Sequence, residues 1–223
     1  MNNIPIIRDS AEMTGGELVI TQDTEYVIRE MNTDITFEVQ KHASLQIILF
    51  TNQPQHYRII CRLAGMESRV HVNAISFLRE GTSTLTMQAI HEHSHTYSRL
   101  ESVGVIVNGD SQINGLIKIG ENAHTSDGYE KTDTLIIGNG TSTTVPDLEI
   151  HNNDVKCSHG SSTTKLDEEK LFYVQSRGLS ESDAKRIVIK GFYMPALQKI
   201  ANNILREEIE QKIDDAINGM EHS

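Results

Sequence analysis

The 223-residue chain has the length of one large or two small domains, and its 37% hydrophobic content is enough to build a core. Its 31 acidic side chains outnumber 20 basic ones, giving a formal net charge of −11; this argues against nucleic acid or an anionic membrane surface as the main partner, because both are bound through clustered Lys and Arg. No apolar run is long enough to span a membrane, and Met1 to Asp9 lacks the basic start and apolar stretch of a secretory signal, so a cytoplasmic chain is expected. In a reducing compartment its two cysteines, Cys61 and Cys157, would stay as free thiols.

From about Gly16 to Ile150 apolar residues recur at alternate positions in short bursts: Leu18/Ile20, Tyr26/Ile28, Ile35/Phe37/Val39, Leu45/Ile47/Leu49, Tyr57/Ile59/Cys61, Val70/Val72/Ala74, Leu85/Met87 and Val103/Val105. A period of two predicts strands. Clusters of Gly, Asn, Asp, Thr and Ser separate the bursts at intervals of roughly 8 to 12 residues, the spacing of a sandwich, a barrel or a stacked β-solenoid. Periodicity alone leaves these three open. The segments Val107-Asn-Gly-Asp110, Ile119-Gly-Glu-Asn122 and Ile137-Gly-Asn-Gly140 read as sharp corners ending short strands, which suit the coils of a parallel β-helix.

Beyond Ser162 the pattern becomes helical. Leu166 to Arg177 has acids in its first turn and a base in its last, with Gly178 placed for a left-handed cap. Ser180 and Asp183 form a variant capping box for a second helix running to about Tyr193. Pro195 fits the first position of a third helix, with Leu197, Ile200, Ala201, Ile204, Ile213 and Ile217 largely on one face and its end near Gly219. The expected organisation is a β body over 1–162 with a helical appendage over 163–223.

Three histidines, His91, His93 and His95, alternate on what reads as one strand, so their imidazoles would share a face and offer a candidate transition-metal site. The plainer reading is a polar, solvent-facing strand, with Glu92 pointing the other way and no matching fourth ligand in view. Cys61, after Tyr57 and Ile59 in an alternating strand, reads as a core residue.

The segment Val145-Pro-Asp-Leu-Glu-Ile-His-Asn-Asn-Asp-Val-Lys-Cys-Ser-His-Gly160, with Leu166-Asp-Glu-Glu-Lys-Leu-Phe-Tyr173 and Ser176-Arg-Gly-Leu-Ser180, resembles the C-terminal core of the SufB/SufD family. His95-Thr-Tyr-Ser-Arg99, Asn114-Gly115 and the stretch from Ala123 to Gly138 extend the likeness over roughly residues 90 to 195. The resemblance implies a right-handed parallel β-helix with a C-terminal helical domain, acting as a scaffold for iron-sulfur cluster assembly and not itself an enzyme. It further implies paired β-helix subunits on a SufC-like ABC ATPase, with a transient iron-sulfur cluster at the subunit interface. Cys157 and His159 fall on the Cys-Ser-His-Gly motif of SufD-like chains, at that interface. Thiolate and imidazole suit iron or sulfur, and their i, i+2 spacing on a strand directs both to one face.

The chain departs from SufB where sulfur is handled: it has Ser158-His159-Gly160 in place of a Glu-His-Glu run, and Thr132 near the position of the sulfur-accepting cysteine. It also reads as short, without the family's long N-terminal segment, so it is expected to pair with itself or with a SufB-like chain. Phe172 and Tyr173 are expected to pack between the appendage and the β body, and the helix surface from Asp167 to Arg186, including Arg177, to face the ATPase. The competing readings are a purely structural ATPase-binding partner and a carbohydrate-active β-helix enzyme. The latter lacks its usual aromatic platforms, since the chain has no Trp.

Overall fold

The computed structural model describes residues 6–9, 16–29, 34–166 and 168–220. Met1 to Pro5, which entered the reading of the chain's start, and Asp167 of the expected docking surface lie outside the described residues. The strands are β1 (Ile6–Asp9), β2 (Gly16–Ile20), β3 (Thr24–Ile28), β4 (Ile35–Val39), β5 (Ser44–Thr51), β6 (His56–Leu63), β7 (Arg69–Leu78), β8 (Thr82–His91), β9 (Tyr97–Ile106), β10 (Asp110–Ile119), β11 (Ser126–Ile136), β12 (Thr141–Ile150) and β13 (Val155–Lys165). Odd-numbered strands form one sheet, in the order β1-β3-β5-β7-β9-β11-β13, and even-numbered strands a second, in the order β12-β10-β8-β6-β4-β2. Each strand pairs in parallel with the one two places along the chain. The chain therefore winds as a β-solenoid, which removes the sandwich and the barrel.

Every apolar burst of the sequence lies on a strand, but not every burst faces the interior. Leu45, Ile47, Val70, Val72, Ala74, Met87 and Leu100 belong to the apolar core enclosed by the two sheets. Val103 and Val105 on β9 face outward, into a second core shared with helices, because the odd-numbered sheet is covered on both sides. Cys61 is fully buried in the interior core, as its strand position implied.

The corners stack as well as the strands. His42, Glu67, His95 and Thr125 all have φ between 54° and 62°, the left-handed region. Their N–H groups donate to the carbonyls of Met66, Ser94, His124 and Asp154, each on the next coil. The corner hydrogen bonds thus offset the backbone strain of four non-glycine residues.

Three helices follow: α1 (Glu168–Gln175), α2 (Glu181–Leu197) and α3 (Asn203–Asn218). Gly178, with φ of +90°, closes the turn after α1, and Ser180 caps α2 by accepting from the Asp183 N–H at 3.1 Å, both as the sequence indicated. Pro195 does not start a third helix; it sits in the last turn of α2. The break falls at 198–202, and Asn202 caps α3 by accepting from the Ile204 and Leu205 N–H groups. A proline near a helix end gives up only one backbone bond, whereas an Asn cap satisfies two orphan donors, so Asn202 sets the start. The buried face of α3 is consequently Leu205, Ile209, Ile213, Ala216 and Ile217, and Ile204 is 80% exposed.

Helices α2 and α3 lie on the outer face of the odd-numbered sheet and bury Ile189, Tyr193, Leu197, Ile209 and Ile213 against Val27, Ile48, Ile75 and Val105. The Tyr193 hydroxyl accepts from the Val105 N–H at 3.1 Å and donates to the Ser76 carbonyl, tying α2 to β7 and β9. Lys199 donates to both carboxylate oxygens of Glu101 at 2.6 and 2.7 Å, and His71 Nε2 lies 2.7 Å from one of them. Burial alone would raise the Glu101 carboxyl, but the hydrogen bonds from His71 and Lys199 hold it at about 2. Among the described residues no helix is long and apolar enough to cross a membrane.

Candidate functional site

Parallel register carries each interior position from coil to coil as a column. One column runs Thr24, Leu45, Val70, Ser98, Gly128, Cys157. The next runs Tyr26, Ile47, Val72, Leu100, Glu130, His159, and a third Ile28, Leu49, Ala74, Ser102, Thr132, Ser161. From β5 onward each turns from apolar residues to glycine or polar ones as it approaches β13, the first column also starting on the polar Thr24. Among the described residues β13 is an edge, hydrogen-bonded only to β11, so Cys157 and His159 end their columns at an open end of the solenoid. Cys157 is half-buried against the interior core and His159 is exposed. Their shared face, expected from the i, i+2 spacing, is thus the interior face at its exposed margin.

Burial, and then the negative charges of Asp127 and Glu130, push the Cys157 thiol up to about 11. At neutral pH it rests protonated, and a metal or sulfur species bound there must displace that proton. Gly128, across the ladder from Cys157, keeps the space in front of it free of a side chain. A Cβ at Gly128 would lie 2.7 Å from Ile117 Cγ2 and 3.5 Å from His91 Nε2.

The three histidines separate. β8 ends at His91, and His93 and His95 follow in the turn, with His95 in the left-handed corner column. His91 is 0% exposed, its Nδ1 2.8 Å from Thr96 Oγ1 and its Nε2 2.8 Å from Ser98 Oγ. Thr96 Oγ1 lies in turn 2.8 Å from Ser126 Oγ. Burial, only partly countered by Asp127, lowers the His91 imidazole to about 4, so it is neutral with both nitrogens engaged. The candidate triad does not share a strand face, because the strand ends before the left-handed corner, and buried His91 does not fit a solvent-facing strand either; no three His, Cys, Asp or Glu side chains converge on a metal position among the described residues.

Glu130 belongs to none of the apolar bursts or short motifs of the sequence. It is 1% exposed, its two carboxylate oxygens have no hydrogen-bond partner among the described residues, and burial pushes it up to about 7. The neighbouring inward residue Thr132 is also buried with its hydroxyl unpartnered. The carboxyl reaches across the interior to Gly115 on β10, where any Cβ would collide with it. A glycine at that register position was a legible signal, since Asn114-Gly115 interrupts an otherwise apolar alternation through Ile113, Ile117 and Ile119.

The expected docking residues divide as well. Phe172 and Tyr173 on α1 are 72% and 62% exposed, so they do not pack between helices and solenoid. Arg177 donates to the Tyr173 hydroxyl at 2.9 Å and lies over its ring, leaving a small exposed aromatic and cationic face. Arg186 is drawn inward to Asp214 at 3.1 Å and to Asn218 on α3.

Residues 12–192 match the family described as SUF system FeS cluster assembly, SufBD core domain. The chain is 28% identical over 161 residues to the iron-sulfur cluster assembly protein SufD of Escherichia coli (strain K12), covering 71% of this chain and 38% of that protein. It is 29% identical over 163 residues to iron-sulfur cluster assembly SufBD family proteins of Staphylococcus epidermidis and Staphylococcus aureus, covering 69% of this chain and 35% of each of those. The chain spans little more than a third of the length of the curated relatives it matches. The solenoid, the Cys-Ser-His-Gly motif at its open end and the extent of the match make the chain a member of the SufBD core family of the SUF iron-sulfur cluster assembly system.

Proposed function

We propose that the chain is a non-enzymatic, cytoplasmic scaffold in which an iron-sulfur cluster, as transient cargo, is built or held where the interior columns of the solenoid end at Cys157 and His159. One observation carries this reading: the soft thiol and the imidazole are inward-facing neighbours on β13, where the interior row of the odd-numbered sheet reaches an edge strand. A thiolate and an imidazole suit iron, and an edge site leaves coordination positions for a second chain. The unpaired N–H and C=O groups along β12 and β13 favour a partner that continues both sheets, either a second copy or a SufB-like chain.

The boundary expected at residue 162 falls inside β13, which runs to Lys165, and the helices that follow it, from Glu168 onward, are the region proposed to dock a SufC-like ABC ATPase. Its exposed Phe172, Tyr173 and Arg177 give a docking face on a helix, whereas Arg186 serves the α2–α3 contact. Anaerobic reconstitution with iron and sulfide tests the cargo site. Wild type is expected to develop a visible chromophore that Cys157→Ser and His159→Ala both lose while still capturing the ATPase. Equal cluster yield in wild type and both variants would sink the scaffold reading and favour a purely structural partner. Light scattering should show a dimer, alone or with the ATPase; a stable monomer in both cases would remove the edge-pairing part.

A further inference from the structure

Resting on the reading of Cys157 and His159 as a cargo site, we infer that Glu130 is a further metal-binding residue of that site, an oxygen donor stored inside the solenoid that swings to a transition-metal ion held by the two. The placement comes first. Glu130 and His159 are directly opposed across the β11–β13 ladder and face the same interior, and Gly128 and Cys157 are opposed one inward step away. Strands in one sheet lie about 4.8 Å apart, so a carboxylate on this row is within side-chain reach of an ion bound to either residue.

The environment of the carboxyl argues for a ligand and against a structural role. A carboxylate buried among apolar neighbours without hydrogen bonds is expensive, and buried carboxyls that serve the fold are paired. Glu101, partly buried, shows the paired case in this same protein, engaged by Lys199 and His71, whereas buried Glu25 has one oxygen without a partner and Glu130 has two among the described residues. Among the described residues the Glu130 carboxylate has no hydrogen-bond partner, and the Thr132 hydroxyl, one inward step along, likewise has none. The niche that accepts the carboxyl exists only because residue 115 lacks a Cβ. No three ligands converge in the resting arrangement among the described residues, so the carboxyl must leave the niche to complete the set. It breaks no hydrogen bond on leaving, and a divalent ion would compensate its charge. Oxygen, nitrogen and sulfur donors together suit ferrous iron and its spectroscopic stand-in, cobalt(II).

The test is anaerobic titration of the reduced, metal-free protein with cobalt chloride, followed by visible absorption. Wild type is expected to show a thiolate-to-cobalt charge-transfer band together with d–d bands. Cys157→Ser should lose the first. Glu130→Gln, which refills the niche with the same shape, should weaken binding at least tenfold and shift the d–d envelope while keeping the charge-transfer band; Glu130→Asp should recover part of the affinity. Circular dichroism confirms that each variant is folded. Unchanged affinity and spectrum in a folded Glu130→Gln, with Cys157→Ser still losing its band, would overturn the role of Glu130 and leave the cargo site standing. A Glu130-dependent affinity without any Cys157-dependent band would instead overturn the cargo site and keep the carboxylate as a metal donor. Wild-type protein that binds no cobalt would overturn both.

Discussion

The first coils and the last coils of this solenoid share one backbone geometry and have opposite interiors. Around β3, β5 and β7 the inward columns hold Tyr26, Ile28, Leu45, Ile47, Leu49, Val70 and Val72, nearly all fully buried. Around β11 and β13 the same columns hold Gly128, Glu130 and Thr132, then Cys157, His159 and Ser161. Parallel stacking repeats the register without dictating the chemistry, so a solenoid can place its apolar stability at one end and polar, reactive groups at the other. The polar end finishes on the edge strands β12 and β13.

The largest effect that would sharpen this contrast is a truncation at each end. Phe37 is fully buried, with its ring 5.1 Å from that of Tyr26, and Phe37→Ala should lose about 3–5 kcal/mol by denaturant unfolding. Ser161→Ala should change stability by less than about 0.5 kcal/mol. Similar losses at both positions would break the division of labour.

Next comes the buried acid. Because burial raises the folded Glu130 to about 7 from a usual value of 4.5, ionising it penalises the fold as pH rises between those values. Glu130→Gln should therefore stabilise the apo protein above pH 7, by at most about 3 kcal/mol, with the gain vanishing toward pH 4.5. Thermal melts across that range read the difference; a gain independent of pH would mean that the carboxyl is not carrying the penalty.

Between the two ends lies the helical layer. Tyr193→Phe leaves the Val105 N–H and the Ser76 carbonyl without their partner, and should cost about 1–3 kcal/mol. Glu101, held at about 2, has the opposite sign from Glu130: its contribution is present above the usual carboxylate range and is lost as pH falls toward 2. Glu101→Gln should remove that acid-side slope, with an effect of about 1 kcal/mol because Lys199 is partly exposed.

The apolar end was legible in the sequence because its inward and outward residues differ in polarity, which is what a period of two records. Tyr57/Ile59/Cys61 and Val70/Val72/Ala74 fall in the interior for that reason. At the other end the alternation is between two kinds of polar residue, as in Glu130, Lys131, Thr132 and Asp133, and periodicity is silent. Glu130 was therefore invisible, although Gly115 opposite it marked the space it needs. Cys157 and His159 were found through the motif that carries the family resemblance. The alternation of His91, His93 and His95 does not mark one strand because a left-handed corner at His95 has no signature in a non-glycine sequence. Pro195 misled because its own position in α2 was weighed without the stronger cap at Asn202.

The two cysteines give the most direct test, being the same group at the two kinds of interior. Cys61 is fully buried in the apolar columns, and Cys157 stands at the open polar end. Anaerobic reconstitution with iron and sulfide of folded Cys61→Ala and Cys157→Ala, read by visible absorption, should leave the chromophore intact in the first and abolish it in the second. A chromophore that survives loss of Cys157, or that requires Cys61, would contradict the account.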